Sequence, residues 1–226
     1  MNSPSGRKPY AAAVIPSFNE GSHIIPALEA VTKTGIVSEV VVVDDGSDTN
    51  ETEFAVRRFP TVRYLRNEVN MGKGYSMERG VASVTAPIIF FCDADLVNIT
   101  QEIVNAIIEP VANGTYDMFI GIRNNFSQKS FLPFALNSGE RALRREVWER
   151  LPEFYKNRFR IEVGMNYFVR HHGKGYGYKL FPYYQTAKER KYGFWKGTVR
   201  RWKMNWDVSL AWGRANCVDR FRNFKW

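Results

Sequence analysis

Two carboxylate residues, Asp93 and Asp95, stand one residue apart directly after the apolar run 88–92. A short run of this kind, preceded by Pro87, predicts a strand buried on both faces of a parallel sheet. Ligands of open α/β sheets bind at the carboxyl ends of the strands, where these two acids would lie. Carboxylate oxygens suit Mg²⁺ or Mn²⁺, and Mg²⁺ keeps coordination positions open for phosphate oxygens. The pair therefore predicts a metal site shared with a diphosphate; the alternative is a polar strand end that caps the next helix.

Two further clusters also follow predicted strands, at 10–15 and at 40–43. The first cluster contains Pro16, Ser17, Asn19 and Glu20, and the second contains Asp44 and Asp45. Backbone N–H groups at a strand-to-helix turn can hold a nucleotide, and a carboxylate can accept a hydrogen bond from a base imide or a ribose hydroxyl. The alternatives are an N-capped helix start for the first cluster and a turn with capping acids for the second.

The segment Gly72-Lys73-Gly74 opens a predicted helix. Glycine allows a close approach, and the helix amino terminus and the lysine both favour negative charge, so the segment suits a phosphate. Neither the Walker A spacing nor the G-x-G-x-x-G fingerprint of dinucleotide-binding folds is present in the sequence.

Apolar runs and helical patterns alternate along the first half of the chain. Strands are predicted at 10–15, 40–43, 62–65, 87–92 and 116–120, and helices at 22–34, 51–59, 74–82 and 99–111. Strand–helix alternation of this kind predicts βαβ units, and therefore an α/β fold with a mainly parallel sheet flanked by helices. Further along, we expect a polar loop at 123–133, a helical run from after Glu140 to Arg150, a strand edge and a helix within 159–172, and a strand at 176–181.

Composition places the chain among ordinary globular proteins, since 44% of its 226 residues are hydrophobic and 24% are charged. No apolar run approaches the ~20 residues of a membrane span. Two cysteines, Cys92 and Cys217, imply no disulfide framework, which favours a cytoplasmic protein. Residues 1–113 hold 9 Lys and Arg against 14 Asp and Glu, whereas residues 114–226 hold 23 against 9. A basic second half suits an anionic substrate, an anionic membrane surface or nucleic acid.

The segment 193–226 forms a predicted basic, aromatic helical extension. A stripe at helical spacing consists of Trp195, Val199, Trp202, Trp206 and Leu210, with basic residues beside it. Such a helix fits peripheral contact with an anionic membrane surface, and it equally fits docking onto the rest of the chain or onto a partner. Nucleic acid is a less favoured partner because no RNA-recognition module is visible.

The order and spacing of four motifs resemble glycosyltransferase family 2. These motifs are 14–20 (VIPSFNE), 41–47 (VVVDDGS), 70–74 (NMGKG) and 93–95 (DAD). The resemblance implies a GT-A fold, Rossmann-like in its sheet, with a nucleotide-diphosphate-sugar donor (UDP- or GDP-sugar) and Mn²⁺ or Mg²⁺. The donor-binding residues it implies are Pro16, Ser17, Asn19, Glu20, Asp45, Gly72, Lys73, Asp93, Ala94 and Asp95. Asp93 and Asp95 would form the metal motif, with Asp95 as the direct ligand and a catalytic residue. The implied organisation is a leader at 1–9, a GT-A domain at 10–192 with a donor half (10–121) and an acceptor half (122–192), and the extension.

The segment 138–145 resembles the Ser-Gly-x-Arg segment of polyprenyl-phosphate sugar transferases and of glucosyl-3-phosphoglycerate synthases. It implies Glu140 as the catalytic base for a hydroxyl acceptor, or Arg141 or Arg144 as ligands where the acceptor is a phosphate. The alternative for Glu140 is an acid that caps the following helix, and Glu162, outside this segment, is a second candidate base. The polyprenyl enzymes usually carry an apolar residue at position 140, and Gln185 falls where related transferases carry a histidine.

The resemblance therefore implies a hexosyltransferase acting on an acceptor hydroxyl or phosphate, in a polyprenyl phosphate, a glycan or a small molecule. Inversion at the anomeric carbon is the family default, and retention is the phosphoglycerate-type alternative. The alternative of another class is a non-catalytic module that binds a nucleotide sugar or a partner.

Overall fold

The computed structural model describes residues 10–123, 135–156, 160–185, 209–211 and 213–218. Its elements in chain order are β1 (Ala11–Ser17), a 3-10 helix (Gly21–Ile24), α1 (Ile25–Lys33), β2 (Val37–Asp44), α2 (Glu51–Val56), β3 (Val62–Arg66), α3 (Lys73–Ala82), β4 (Ile88–Phe91), β5 (Leu96–Val97), α4 (Gln101–Ala112), β6 (Met118–Arg123), β7 (Arg141–Arg144), α5 (Arg145–Arg150), α6 (Ile161–His172), β8 (Tyr176–Phe181) and β9 (Tyr184–Gln185).

Seven of the described strands form one sheet in the order β3-β2-β1-β4-β7-β6-β8. Strand β1 pairs in parallel with β2 and β4, β2 pairs in parallel with β3, and β6 pairs in parallel with β8. Strand β7 lies antiparallel between β4 and β6. The predicted fold class, a mainly parallel α/β sheet flanked by helices, is confirmed. The central strands read as continuous apolar runs because helices cover both faces of the sheet.

The two faces of the sheet carry separate hydrophobic cores. Alternate residues of β1 divide between them: Ile15 packs on one side with Leu28 of α1 and Ile107 of α4. On the other side Val14 packs with residues of α3, α5 and α6, among them Met77, Trp148 and Phe168. Side chains alternate across a strand, so each strand contributes to both cores.

The strands and helices predicted between residues 10 and 120 are confirmed, with boundaries that differ by a few residues. Local chemistry explains several of these boundaries. The Thr100 hydroxyl accepts a hydrogen bond from the backbone N–H of Ile103 and so caps the amino terminus of α4. The helix predicted within 159–172 is found as α6 and the strand predicted at 176–181 is found as β8.

The helical run predicted to end at Arg150 is wrong for residues 141–144. These residues form strand β7, and only Arg145–Arg150 is helical. Ala142 packs into one core and Leu143 into the other. Pairing on both sides, with β4 and with β6, overrides a local sequence that suits a helix.

Several predictions fall outside the described residues. They concern the leader at 1–9, nearly all of the loop at 123–133, residue 159, and Trp195, Val199, Trp202 and Trp206 of the extension. Part of the extension is described: Leu210 is exposed, whereas Ala211 and Ala215 pack into the core beside α6. No helix within the described ranges is long and apolar enough to cross a membrane.

Close packing of α3 on the sheet gives a test of the fold. A Cβ atom at Gly80 would lie 2.4 Å from Cγ1 of Val14 and 3.3 Å from Cγ2 of Val43. Alanine favours a helix over glycine by about 1 kcal/mol, but overpacking a core typically costs about 1–3 kcal/mol. We expect Gly80→Ala to lower the free energy of unfolding by about 1–2 kcal/mol, measured by urea denaturation.

Gly213→Ala is the matched control, because Gly213 is also helical and a Cβ atom there would meet nothing within 4 Å. This variant should leave the stability unchanged or raise it by up to about 1 kcal/mol. Equal effects of the two substitutions would contradict the proposed contact with Val14.

Candidate active site

The carboxyl ends of β1, β2 and β4 meet at one edge of the sheet, because the three strands are parallel. Asn19 after β1 is joined to the turn after β2: its backbone N–H donates to Ser47 Oγ at 2.8 Å, and its side-chain amide exchanges two 2.8 Å hydrogen bonds with Asp48. The backbone N–H of Asp45 donates to the Ser17 carbonyl at 2.8 Å. The first two predicted clusters therefore form one continuous rim.

Asp45 fixes the loop that leads into α3. Its carboxylate is buried and accepts hydrogen bonds from the backbone N–H groups of Met71 (2.9 Å) and Gly72 (2.7 Å), and from the side-chain amide of Asn67 (2.7 Å). A Cβ atom on the neighbouring Gly46 would lie 2.6 Å from the carbonyl carbon of Val69, so the loop lies directly on the turn after β2. Asp45, predicted to contact the base, thus holds the loop before Lys73.

Lys73 lies at the start of α3 and joins two carboxylates. Its Nζ is 3.0 Å from Asp93 Oδ1 and 3.0 Å from Glu162 Oε1. Burial alone would lower the pKa of this ammonium group, but the two carboxylates outweigh burial and raise the pKa above its ordinary value. Lys73 is therefore charged at every physiological pH, and it links the end of β4 to the first turn of α6.

The metal motif has one carboxylate on each side of Ala94. Asp95 Oδ1 accepts a hydrogen bond from the Gln185 amide at 2.5 Å, and the amide oxygen of Gln185 accepts one from Arg123. Arg123 Nη2 also lies 4.0 Å from Asp93 Oδ2. Over the part of the chain that the structure describes, no group of three or more His, Cys, Asp or Glu side chains could hold a metal ion. The two carboxylates of Asp93 and Asp95 fit a divalent ion that also binds phosphate oxygens, rather than one held by protein ligands alone.

Glu140 is enclosed, with a relative exposure of 0%. Its Oε2 accepts from Ser138 Oγ at 2.6 Å and from the Tyr183 hydroxyl at 3.1 Å, and lies 3.5 Å from Arg123 Nε. Among the described residues its Oε1 has no hydrogen-bond partner. Burial raises the pKa of Glu140, and the positive charge of Arg123 opposes that shift only in part. The Glu140 carboxylate is thus closed off from solvent, which does not suit the predicted role of a base that contacts the acceptor.

The two arginines predicted to bind an acceptor phosphate do not meet at the site. Arg141 is fully buried, and its guanidinium donates to the backbone carbonyls of Ser138 and Leu136 and to Asn166 Oδ1. Arg144 lies at the far end of β7, at the edge opposite to the crevice, where it pairs with Asp117 at 3.5 Å and with a glutamate of α5. The prediction for Arg144 is corrected on this ground: β7 runs antiparallel to β4, so three residues carry the chain from one edge of the sheet to the other.

The other residues predicted to bind the sugar-nucleotide donor lie along this rim or beside it. Ser17 and Ala94 are buried, and Pro16, Asn19, Glu20 and Gly72 are partly buried. Within the described residues, the buried Ser17 hydroxyl has no hydrogen-bond partner. Gly139 leaves room for the metal motif, since a Cβ atom there would lie 2.6 Å from Asp93 Oδ1.

Sequence reasoning did not identify Arg123 and Tyr183 as site residues. Strands β6 and β8 run parallel to β4, so their carboxyl ends also meet this edge, and both residues lie there. The same rule that identified Asp93 could therefore have found them, once β6 and β8 were placed in the same sheet.

Comparison with known proteins agrees with this geometry. The family model "Glycosyl transferase family 2" matches residues 12–184. A dolichyl-phosphate beta-glucosyltransferase of Trichomonas vaginalis is 31% identical over an alignment of 98 residues that covers 38% of this chain and 29% of that protein. The glucosyl-3-phosphoglycerate synthase of Mycobacterium tuberculosis is 29% identical over an alignment of 113 residues that covers 46% of this chain and 34% of that protein. The matches thus span about a third of these relatives.

A crystal structure of the Mycobacterium tuberculosis synthase, in complex with Mn²⁺, UDP and phosphoglyceric acid, superposes with a TM-score of 0.75. The superposition covers 92% of this chain and 78% of that chain at 19% sequence identity, so it concerns the fold. Together, the sheet order, the carboxylate pair after β4 and the match over residues 12–184 show that the chain belongs to glycosyl transferase family 2.

Proposed function

We propose that this protein is a metal-dependent glycosyltransferase that moves a sugar from a nucleotide-diphosphate sugar to an acceptor bearing a phosphate group. The observation that carries the proposal is the position of Asp93 and Asp95. They lie at the carboxyl end of the central strand β4, beside Lys73 and the amino terminus of α3. This edge of an open α/β sheet is where ligands bind, and two carboxylates beside a lysine suit a diphosphate that shares a metal ion.

The rim supplies the donor site in this proposal. Ser17 at the end of β1, and Asn19 and Glu20 after it, would line the nucleotide pocket. The buried Ser17 hydroxyl, which has no hydrogen-bond partner among the described residues, would donate to the nucleotide. Asp45 would act mainly through the loop that it holds, because its oxygens already accept three hydrogen bonds. Of the two donors that the resemblance implies, a UDP- or a GDP-sugar, the UDP-sugar is supported by the related synthase, which was crystallised with UDP and Mn²⁺.

Mn²⁺ or Mg²⁺ bound by Asp93 and Asp95 would act as a Lewis acid that stabilises the leaving diphosphate. The chain's own residues would do the rest. Gln185 orients Asp95 through its amide, and Arg123 lies between Asp93 and Glu140 and keeps both carboxylates in place. The start of α3 directs its positive end and Lys73 towards the negative charge that develops on the diphosphate.

Glu162 is our candidate for the base that deprotonates an acceptor hydroxyl. It is in the first turn of α6, its carboxylate reaches Lys73, and it retains some exposure, unlike Glu140. Glu140 then acts as a positioning residue that holds Arg123. The start of α6 brings the positive end of a helix to the same side, which favours an anionic acceptor. The names of the relatives support a phosphate-bearing acceptor, since both dolichyl phosphate and phosphoglycerate carry one.

The stereochemical course is a separate part of the proposal. Inversion, the default of the family that the sequence resembles, is proposed as the course, and retention is the second candidate. The NMR signal of the anomeric proton in the product distinguishes inversion from retention.

If the acceptor is a lipid phosphate, the segment 193–226 is the part of the chain that we propose for peripheral membrane contact.

Replacement of Asp95 tests the donor site. We expect Asp95→Asn to abolish the thermal stabilisation given by UDP- or GDP-sugar with Mn²⁺, and to reduce transfer by about a hundredfold or more, because a stabilising charge at the diphosphate is lost. Differential scanning fluorimetry and a product assay measure the two effects. Asp117→Asn is the matched control, since Asp117 is a mostly buried acid at the opposite edge of the sheet.

Full metal-dependent transfer by Asp95→Asn would contradict the proposed site. Stabilisation of the wild type by a donor, without hydrolysis or transfer across a wide acceptor screen, would favour a non-catalytic binding module instead.

Replacement of Glu162 tests the acceptor side. A general base contributes about 10²–10⁴-fold to the deprotonation of a hydroxyl, whereas a phosphate acceptor is already ionised. We therefore expect Glu162→Gln to lower kcat by about a hundredfold on a phosphorylated hydroxyl acceptor such as 3-phosphoglycerate, and by less than about tenfold on a polyprenyl phosphate. The measurement is kcat against pH for both acceptor classes.

Glu140→Gln serves as the comparison, because Glu140 is the other acid predicted as a base. This variant should lose clearly less kcat on the phosphorylated hydroxyl acceptor than Glu162→Gln does. If Glu140→Gln loses about a hundredfold there and Glu162→Gln less than about tenfold, the assignment of the two acids is reversed.

A further inference from the structure

The carboxylate of Asp93 forms an ion pair with the side chain of Lys73. Lys73 Nζ is 3.0 Å from Asp93 Oδ1, and this ion pair is shielded, with side-chain exposures of 22% for Lys73 and 17% for Asp93. The same ammonium group lies 3.0 Å from Glu162 Oε1. The Lys73 ammonium group, between the carboxylates of Asp93 and Glu162, occupies a position at which a metal ion could bind.

The second carboxylate of the motif also has a partner. Asp95 Oδ1 accepts a 2.5 Å hydrogen bond from Gln185. A divalent ion that arrived alone would have to exchange this hydrogen bond and displace Lys73, and it would then lie within a few ångströms of the displaced ammonium. Repulsion between like charges at such distances is strong in a partly buried site, so binding of the free metal ion is disfavoured.

A diphosphate changes this balance. It brings negative charge that can accept Lys73, and it offers oxygens that complete the coordination of the metal ion. The backbone need not move, because Asp45 holds Gly72 and a Cβ atom on Gly74 would lie only 2.0 Å from the carbonyl oxygen of Lys156. Contacts on both sides of Lys73 thus fix the backbone at the start of α3, so only the lysine side chain needs to move.

We propose that Lys73 is an internal counter-ion that keeps divalent metal off Asp93 until a nucleoside diphosphate gives the ammonium group another partner. Metal and nucleotide then bind together, each increasing the affinity for the other. This inference rests on the proposed function, because it concerns the same donor site. It assigns Lys73 a role before the nucleotide binds as well as after.

Metal binding without nucleotide tests the inference directly. The probe is Mn²⁺ alone, and its binding to the full chain is followed by the loss of the EPR signal of free Mn²⁺. We expect the dissociation constant of Lys73→Met to be at least about tenfold lower than that of the wild type, because a repelling charge beside Asp93 is removed. Thermal shifts give a second readout: Mn²⁺ alone should stabilise Lys73→Met, whereas the wild type should need Mn²⁺ together with UDP or GDP.

Two controls separate the inference from other causes of tighter binding. Lys33→Met removes one positive charge from an exposed ion pair on α1 and should leave Mn²⁺ binding unchanged. The double variant Lys73→Met/Glu162→Gln removes the acid that could join Asp93 in an artificial site once the lysine is gone. It should keep most of the gain seen in Lys73→Met.

The outcomes distinguish the two proposals. If the wild type is not stabilised by Mn²⁺ with either UDP or GDP, both the proposed function and the inference are overturned. If the wild type is stabilised by the pair, yet Lys73→Met binds Mn²⁺ alone no more tightly than the wild type, the inference alone is overturned. Loss of the gain in the double variant would overturn it as well.

Discussion

Four acids meet at the carboxyl edge of the sheet, and the compensation of their charge organises the site. Asp93, Asp95, Glu140 and Glu162 are all largely shielded from solvent. A carboxylate removed from water needs a cation or several hydrogen-bond donors, or it becomes protonated. Lys73 forms ion pairs with Asp93 and Glu162. Arg123 lies between Asp93 and Glu140. The ion pairs therefore join segments that are far apart in the chain, from α3 to the first turn of α6.

Strand β7 explains why these segments reach the same edge. Since it runs opposite to β4, its amino end lies beside the carboxyl end of β4, which brings Glu140 next to the metal motif. The same reversal sends Arg144 to the opposite edge. Gly139 permits the close approach, because any side chain there would collide with the carboxylate of Asp93. One antiparallel strand in a parallel sheet thus determines which residues of the second half belong to the site.

The sequence was informative where a strand is buried on both faces and ends in polar residues. The valine run of β2 and the apolar run of β4 left little choice of element, and parallel pairing then placed Asp45 and Asp93 at one edge. It was misleading for β7, where Arg141 stands in a buried strand. The burial of that guanidinium is possible only because carbonyls of the chain, brought near by the fold, accept its hydrogen bonds. Such compensation is a tertiary feature, and no local pattern of residues encodes it.

The same limit applied to the chemistry of individual acids. Asp45 and Glu140 have the right type and place for contact with a ligand, yet donors of the chain occupy both oxygens of Asp45 and one oxygen of Glu140. Glu140 and Glu162 differ in what surrounds them: hydroxyl groups and a buried guanidinium enclose the first, whereas the second meets a lysine that retains some exposure to solvent. Environments that differ in this way suit two nearby acids to different roles in the proposed reaction, because their surroundings decide which acid can take up a proton. Lys73 contacts both Asp93 and Glu162, so in the proposed mechanism a change at the diphosphate also changes the surroundings of the proposed base.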